Sequence, residues 1–221
     1  VQWPAVGGTA RTPPGVSGAA ISIQVLLPTP ADLTRLRSQF RGPVAPARMG
    51  HMEIVGLKGS RRQTCDLGSD MQLGRESYHE ACVLLHLALG LGVKPQDLLC
   101  EVRSSAGRAL ALHGMPAVVR SATRISNQTH RDGPQSTDML RFIGHYIGQT
   151  AVLCYVHTPV GPRAVLYKPM HVDIVDVVEL FMWAGHCILL LPPGGARRLA
   201  WADAQTHLAG LSKVMRVDQA W

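Results

Sequence analysis

Apolar positions along the chain follow two regimes. From about residue 79 to 147 they recur at helical spacing, and from 150 to 191 they gather into short β-type blocks. The run Ala81-Cys82-Val83-Leu84-Leu85-His86-Leu87-Ala88-Leu89-Gly90 predicts a core helix over roughly 79–90 that stops at Gly90 or Gly92. Leu98, Leu99, Val102 and Ala106 predict a second helix from Pro95 to His113-Gly114. Ser136-Thr137-Asp138 opens a third, with Leu140, Ile143 and Ile147 on one face and Gly148 at its close. Strands are expected at 150–156, at 164–167 after the turn Thr158-Pro159-Val160-Gly161-Pro162, and at 188–191, where Pro192-Pro193 cuts the run. Residues 58–76 and 120–135 read as polar loops, and 201–214 as a terminal helix.

Upstream, residues 1–20 and 42–50 have linker composition. Between them lie a β-like run, Ile21 to Leu27, and a helix opened by Thr29-Pro30-Ala31-Asp32 that carries Leu33, Leu36 and Phe40. Met52 to Leu57 predicts another strand. Helices first and a mainly antiparallel sheet afterwards imply an α+β body with helices packed on a sheet. The expected division is an N-terminal arm or small flexible subdomain at 1–50, a core at 51–195 and a helical extension at 196–221.

Composition narrows the class. A length of 221 residues suffices for one sizeable domain plus an arm, and 46% hydrophobic with 17% charged residues argues for a packed core. No apolar run reaches the length of a membrane span and no N-terminal signal pattern is present. The chain does not begin with Met, as expected of a segment of something longer. The formal charge of +7 is dispersed, with only short pairs such as Arg61-Arg62 and Arg197-Arg198, so it reads as a soluble basic surface more than a nucleic-acid stripe. Five cysteines, at 65, 82, 100, 154 and 187, show no C-x-x-C pair; a reducing compartment is expected, with Cys65, Cys100, Cys154 and Cys187 structural.

Two side chains carry candidate chemistry. Cys82 fronts the core helix, where the unpaired N–H groups of a helix start favour a thiolate. His186 precedes a β-type stretch, and a strand is a rigid mount for a general base. A competing capping box, Ser77-Tyr78-His79-Glu80, would start the helix at 78 and place Cys82 beyond the first turn. Asp173 and Asp176 are candidates to orient His186, against the plainer reading of a turn and a helix cap. His79, Cys82 and His86 could share one helix face as a zinc site, but no fourth ligand has the spacing. No G-x-S-x-G elbow and no phosphate-cradling loop occurs, and no cofactor is expected.

The run Cys82 to Val102 resembles the nucleophile helix, Gly-containing turn and following helix of OTU-type (ovarian tumour family) cysteine proteases. Asp138 to Gly148 looks like the helix before that family's central strands. Glu179 to Leu191, with Trp183 and His186, looks like its final strand bearing the catalytic His. The resemblance covers roughly 70–192 and lies in order and spacing. It departs where the family has Asp, Gly and Asn before the cysteine and this chain has His79, Glu80 and Ala81, and where Ile188 replaces a polar orienting residue. Divergent OTU-like proteases of RNA-virus polyproteins are similar in lacking parts of these motifs.

The resemblance implies a papain-like OTU-type core, Cys82 as nucleophile and His186 as base. It implies cleavage of a viral polyprotein, with removal of ubiquitin as a further activity, in the host cytoplasm. Its partners would be a polyprotein peptide and ubiquitin or a ubiquitin-like protein. The Cys82 N–H is the expected oxyanion donor, with a second in the loop between Asp70 and Glu80. The alternative is a non-enzymatic basic RNA-binding or coat module, whose affinity would fall steeply with salt.

Overall fold

The computed structural model describes residues 21–27, 50–55, 61–111, 116–126, 137–209 and 212–219, with breaks at 69, 74, 144–146, 159–160, 184 and 193. The expected helix around Leu33 to Phe40, the flanking linkers, and His145 and Tyr146 lie outside the described residues, as does the Trp183 side chain.

Element order is β1 (Ile21–Leu27), β2 (Gly50–Val55), β3 (Arg61–Asp66), β4 (Met71–Leu73), β5 (Glu76–Tyr78), α1 (Cys82–Leu91), α2 (Pro95–Ala111), α3 (Pro116–Ser126), a 3₁₀ turn (Thr137–Phe142), β6 (Thr150–Thr158), β7 (Gly161–Pro169), β8 (Asp176–Trp183), β9 (His186–Leu191), β10 (Leu199–Ala200), α4 (Trp201–Leu208) and β11 (Ser212–Gln219). The fold is α+β. Along the sheet the order is β11-β1-β7-β6-β8-β9-β3-β2, with β10 on β8, and β4–β5 form a separate hairpin. Neighbours are antiparallel except β6 and β8, which run parallel.

Strand alternation sorts the core onto two faces. Val152 and Cys154 of β6, Val178 and Leu180 of β8, and Cys187 and Leu189 of β9 belong to the cluster that holds α1, α2 and α3 residues. Ala151, Leu153, Tyr155, Val177, Phe181, Ile188 and Leu190 belong to a second cluster with Ala204, Trp201 and Leu208 of α4. The central strands are therefore covered on both sides, which is why β8 reads as a near-continuous apolar run. The acid inside it, Glu179, is 1% exposed and accepts a hydrogen bond from the Tyr155 hydroxyl at 3.2 Å. Among the described residues no single helix is long and apolar enough to cross a membrane.

All ten residues of α1 are buried, as a helix that is apolar all round must be. Gly92 closes it in the left-handed region at φ +70°, its N–H bonded to the Leu89 carbonyl and the Val93 N–H to that of Ala88, a Schellman cap. Arg198 reaches from beyond β9 to donate to the carbonyls of Gly90 (3.0 Å) and Leu91 (2.6 Å) and to Asp176 (3.2 Å).

Several expectations are revised. The loop expected at 58–76 contains β3 and the β4–β5 hairpin, and the turn-rich reading of 120–135 misses α3, whose Ala122 and Ile125 are buried beneath polar neighbours. The third helix opens as a 3₁₀ turn over Thr137–Phe142 and is α-helical again at Ile147, whose N–H bonds to the Ile143 carbonyl at 3.2 Å; the Asp138 carboxylate accepts from Ser121 (2.7 Å) and Arg124 (2.9 Å) of α3. The single strand expected over Glu179 to Leu191 is the hairpin β8–β9, bent where Gly185 takes φ +83°, a conformation glycine adopts without steric cost. The terminal helix ends at Leu208, and residues 212–219 form an edge strand on β1 rather than a helical tail. Because β1 itself pairs with β7, the sheet draws strands from all three expected segments.

Candidate functional site

Cys82 is the first residue of α1, and Ala81 is its N-cap with no side-chain cap bond. The alternative start at residue 78 does not occur, because Ser77 and Tyr78 are taken into β5, paired with Gln72 and Met71. Glu80 then turns the chain into the helix at φ +50°, with its N–H held by the Asp70 carboxylate at 2.7 Å. Cys82 thus stands in the first turn, where the helix's own carbonyls leave its N–H without a partner within the helix. The same start leaves His79 outside α1, so His79, Cys82 and His86 do not share a helix face.

His186 opens β9, opposite Trp183 across the hairpin. The fold brings its ring close enough to Cys82 for the two side chains to interact, and the thiol lies 3.9 Å from the Gly185 carbonyl. On its other side the ring meets an acid that sequence reasoning missed. His186 Nε2–H donates to both oxygens of Asp66, each at 3.0 Å. Asp66 ends β3, the strand paired with β9 through Cys65 and Leu189, so sheet register delivers it to the neighbourhood of His186. The Gly68 N–H donates to Asp66 Oδ1 at 2.7 Å, closing an Asx turn that fixes the carboxylate.

With Nε2 committed to Asp66, Nδ1 is the nitrogen left to face the thiol. The order is carboxylate, imidazole, sulfur. Asp66 is 2% exposed at its side chain and His186 24%. Cys82 is 3% exposed, yet its neighbours in chain and space, His79, Glu80 and Gly185, are exposed, so the sulfur sits just beneath the surface.

Electrostatics follow from this line. The bond to Asp66 first, then the interaction with Cys82, raise the His186 pKa to about 9 against the opposing effect of burial. Burial by itself would raise the Asp66 carboxyl, but the bonds from His186 and the Gly68 N–H outweigh it and hold the pKa below its ordinary value. The ring is therefore cationic and the carboxylate anionic around neutral pH. Of the other thiols, burial pushes Cys154 up to about 12 and Cys187 well above the ordinary range, Cys65 is half-buried and raised, and Cys100 is exposed.

The two acids weighed as orienters of His186 are not its partners; Asp66 is. Asp176 accepts from Arg198, and Asp173 is exposed in the segment before β8. The Glu80 N–H, in the loop expected to supply a second oxyanion donor, is committed to Asp70. Among the described residues no group of three or more His, Cys, Asp or Glu side chains is placed to hold a metal ion. Comparison of the chain with protein-family models, with curated proteins and with solved structures finds no match.

Proposed function

We propose that this chain is a cysteine peptidase with a papain-like OTU-type core, cleaving a viral polyprotein junction and removing ubiquitin or a ubiquitin-like protein from conjugates. The observation that carries the reading is the line Asp66–His186–Cys82, with the sulfur on the first residue of a buried helix. A sulfur and a ring sharing one proton exist either as two neutral groups or as a thiolate beside an imidazolium. Asp66 favours the second by stabilising the cationic ring.

In that state the thiolate sulfur bonds to the scissile carbonyl carbon, and the carbonyl oxygen takes the electron pair. The Cys82 N–H at the helix start faces that charge. Collapse breaks the carbon–nitrogen bond, and His186 gives its proton to the departing amine. His186 then takes a proton from water, which attacks the thioester. Collapse breaks the carbon–sulfur bond, the acid product leaves, and the thiolate is restored beside the protonated ring. Asp66 stays ionised throughout and fixes the ring's tautomer and orientation, the part an acid plays in other nucleophile–histidine–acid sites. Thiolate chemistry needs a reduced Cys82, so a reducing host cytoplasm is the compartment this reading implies.

The test is hydrolysis of a ubiquitin conjugate and of peptides spanning the polyprotein junctions by the parent chain and by Cys82→Ala. The parent should cleave and the variant should not. Cleavage by Cys82→Ala at the parent rate would remove Cys82 as nucleophile, and salt-sensitive RNA binding without cleavage would favour the basic-module reading.

A further inference from the structure

One buried titratable group has no part in that reaction. His86 lies one turn after Cys82 and is fully buried. Its Nδ1–H donates to the Cys82 carbonyl at 2.6 Å, and its Nε2 accepts from the Leu67 N–H at 2.7 Å. Those two bonds define one neutral tautomer, with the proton on Nδ1. Leu67 directly follows Asp66. A single ring therefore ties the backbone of the sulfur-bearing residue to the backbone beside the acid, across the junction of α1 and β3.

Other groups face the ring from every side. Asp66 Oδ1 is 3.8 Å from Nε2, and the Cys65 carbonyl approaches from β3. The Cys82 backbone lies below on α1, and the His186 ring on β9 stands edge-on at 6.2 Å between centroids. Asp66 and the carbonyls favour a charged ring, whereas burial and His186 disfavour it. Burial prevails, and the pKa falls to about 4. His86 thus stays uncharged where His186 is cationic, so two histidines around one carboxylate hold different protonation states.

Resting on the peptidase reading, we infer that His86 is a positioning residue: through Nε2 it anchors the Leu67 N–H and so holds the Asp66 carboxylate against His186. It touches no substrate. An unanchored Leu67 would leave a buried N–H without its acceptor and the end of β3 free to shift, and shifts of about 1 Å at a catalytic group cost on the order of a hundredfold in rate.

Two variants separate the ring's two bonds. His86→Gln places an amide oxygen where Nε2 stands and keeps an acceptor for Leu67, whereas His86→Asn keeps a donor for the Cys82 carbonyl and loses that acceptor. His86→Gln should retain kcat to within about threefold, with the alkaline limb of kcat/KM still near the His186 value of about 9. His86→Asn should lose on the order of tenfold to a hundredfold in kcat with KM little changed, and its alkaline limb should move down. A folded His86→Asn with parental kcat and pH profile, or a His86→Gln as impaired as His86→Asn, overturns the inference.

Should His86→Asn not fold, nitrogen-15 NMR of histidine-labelled parent protein decides the matter without activity. Nδ1 should be protonated and Nε2 bare from about pH 5 to pH 9. The opposite tautomer, or titration near the ordinary imidazole value, overturns it. An active Cys82→Ala sinks the peptidase reading instead and leaves the His86 nitrogen spectrum as it was.

Discussion

At the scale of single residues, Asp66 decides how the couple behaves. Replacing it with Asn removes the charge that keeps His186 protonated and offers Nε2 an amide in place of a carboxylate. The alkaline limb of kcat/KM should then fall from about 9 toward the ordinary imidazole value of roughly 6.5, with kcat lower by on the order of a hundredfold or more. A pH–rate series on parent and Asp66→Asn measures both; an unmoved limb would show that Asp66 does not set the ring's basicity. Cys82 and His186 were legible because each falls at a predicted element start, where physical chemistry favours a thiolate and a rigid base. Asp66 was not, because its partner across the sheet is more than a hundred residues away and its own strand, Arg61-Arg62-Gln63-Thr64-Cys65-Asp66, lacks an apolar pattern. The one local signal is Asp66-Leu67-Gly68, the spacing of the Asx turn that the structure contains.

At the scale of elements, α1 is positioned from both ends. A Cβ added at Gly90 would lie 2.6 Å from Val178 Cγ1 and 3.2 Å from Leu189 Cδ1, so the helix lies against β8 and β9 more closely than any side chain permits. Gly90→Ala should destabilise by about 1–2 kcal/mol, overpacking outweighing the gain in helix propensity. In a Val178→Ala background the same change should cost less, and denaturant melts of the four proteins of that cycle give the coupling. Arg198→Ala removes the donors on the Gly90 and Leu91 carbonyls; because the guanidinium is partly exposed, a loss of about 1–2 kcal/mol is expected by the same melts. The C-terminal end of α1 was legible, since glycine marks a left-handed cap. Its start was ambiguous, because Ser77 to Glu80 suits a capping box and only the pairing of β5 with β4 excludes it. Strand β8 escaped separate recognition for a related reason: buried on both faces, it shows no alternation to set it apart from β9.

At the scale of the whole molecule, helices cover one face of the sheet and α4 the other, and the site lies where α1 begins and β3 and β9 meet. That arrangement couples stability to pH in opposite directions through two rings. His186, raised to about 9, contributes stability that is full below roughly 6.5 and is lost as pH rises through 9. His86, lowered to about 4, binds its proton more readily when unfolded, so its contribution is present above roughly 6.5 and is lost as pH falls toward 4. Asp66, lowered by its bonds, adds a further loss as pH falls through its folded value. Denaturant melts across pH should therefore peak near roughly pH 6.5, and His86→Gln should flatten the acid side while leaving the alkaline side unchanged. The α+β class was visible in the order of helical and β-type runs, whereas the closure of the sheet by β1 and β11 was not, since strand pairing across nearly the whole chain leaves no local trace. The most direct test of the central claim, that Cys82 and His186 act as an ion-forming couple, is the order in which the five cysteines of the folded protein react with iodoacetamide near neutral pH, read by mass spectrometry. Exposure alone favours Cys100; the account predicts that Cys82 reacts first despite its 3% exposure, and that His186→Ala abolishes this preference. Labelling of Cys100 with Cys82 as inert as Cys154 and Cys187, in parent and variant alike, would contradict it.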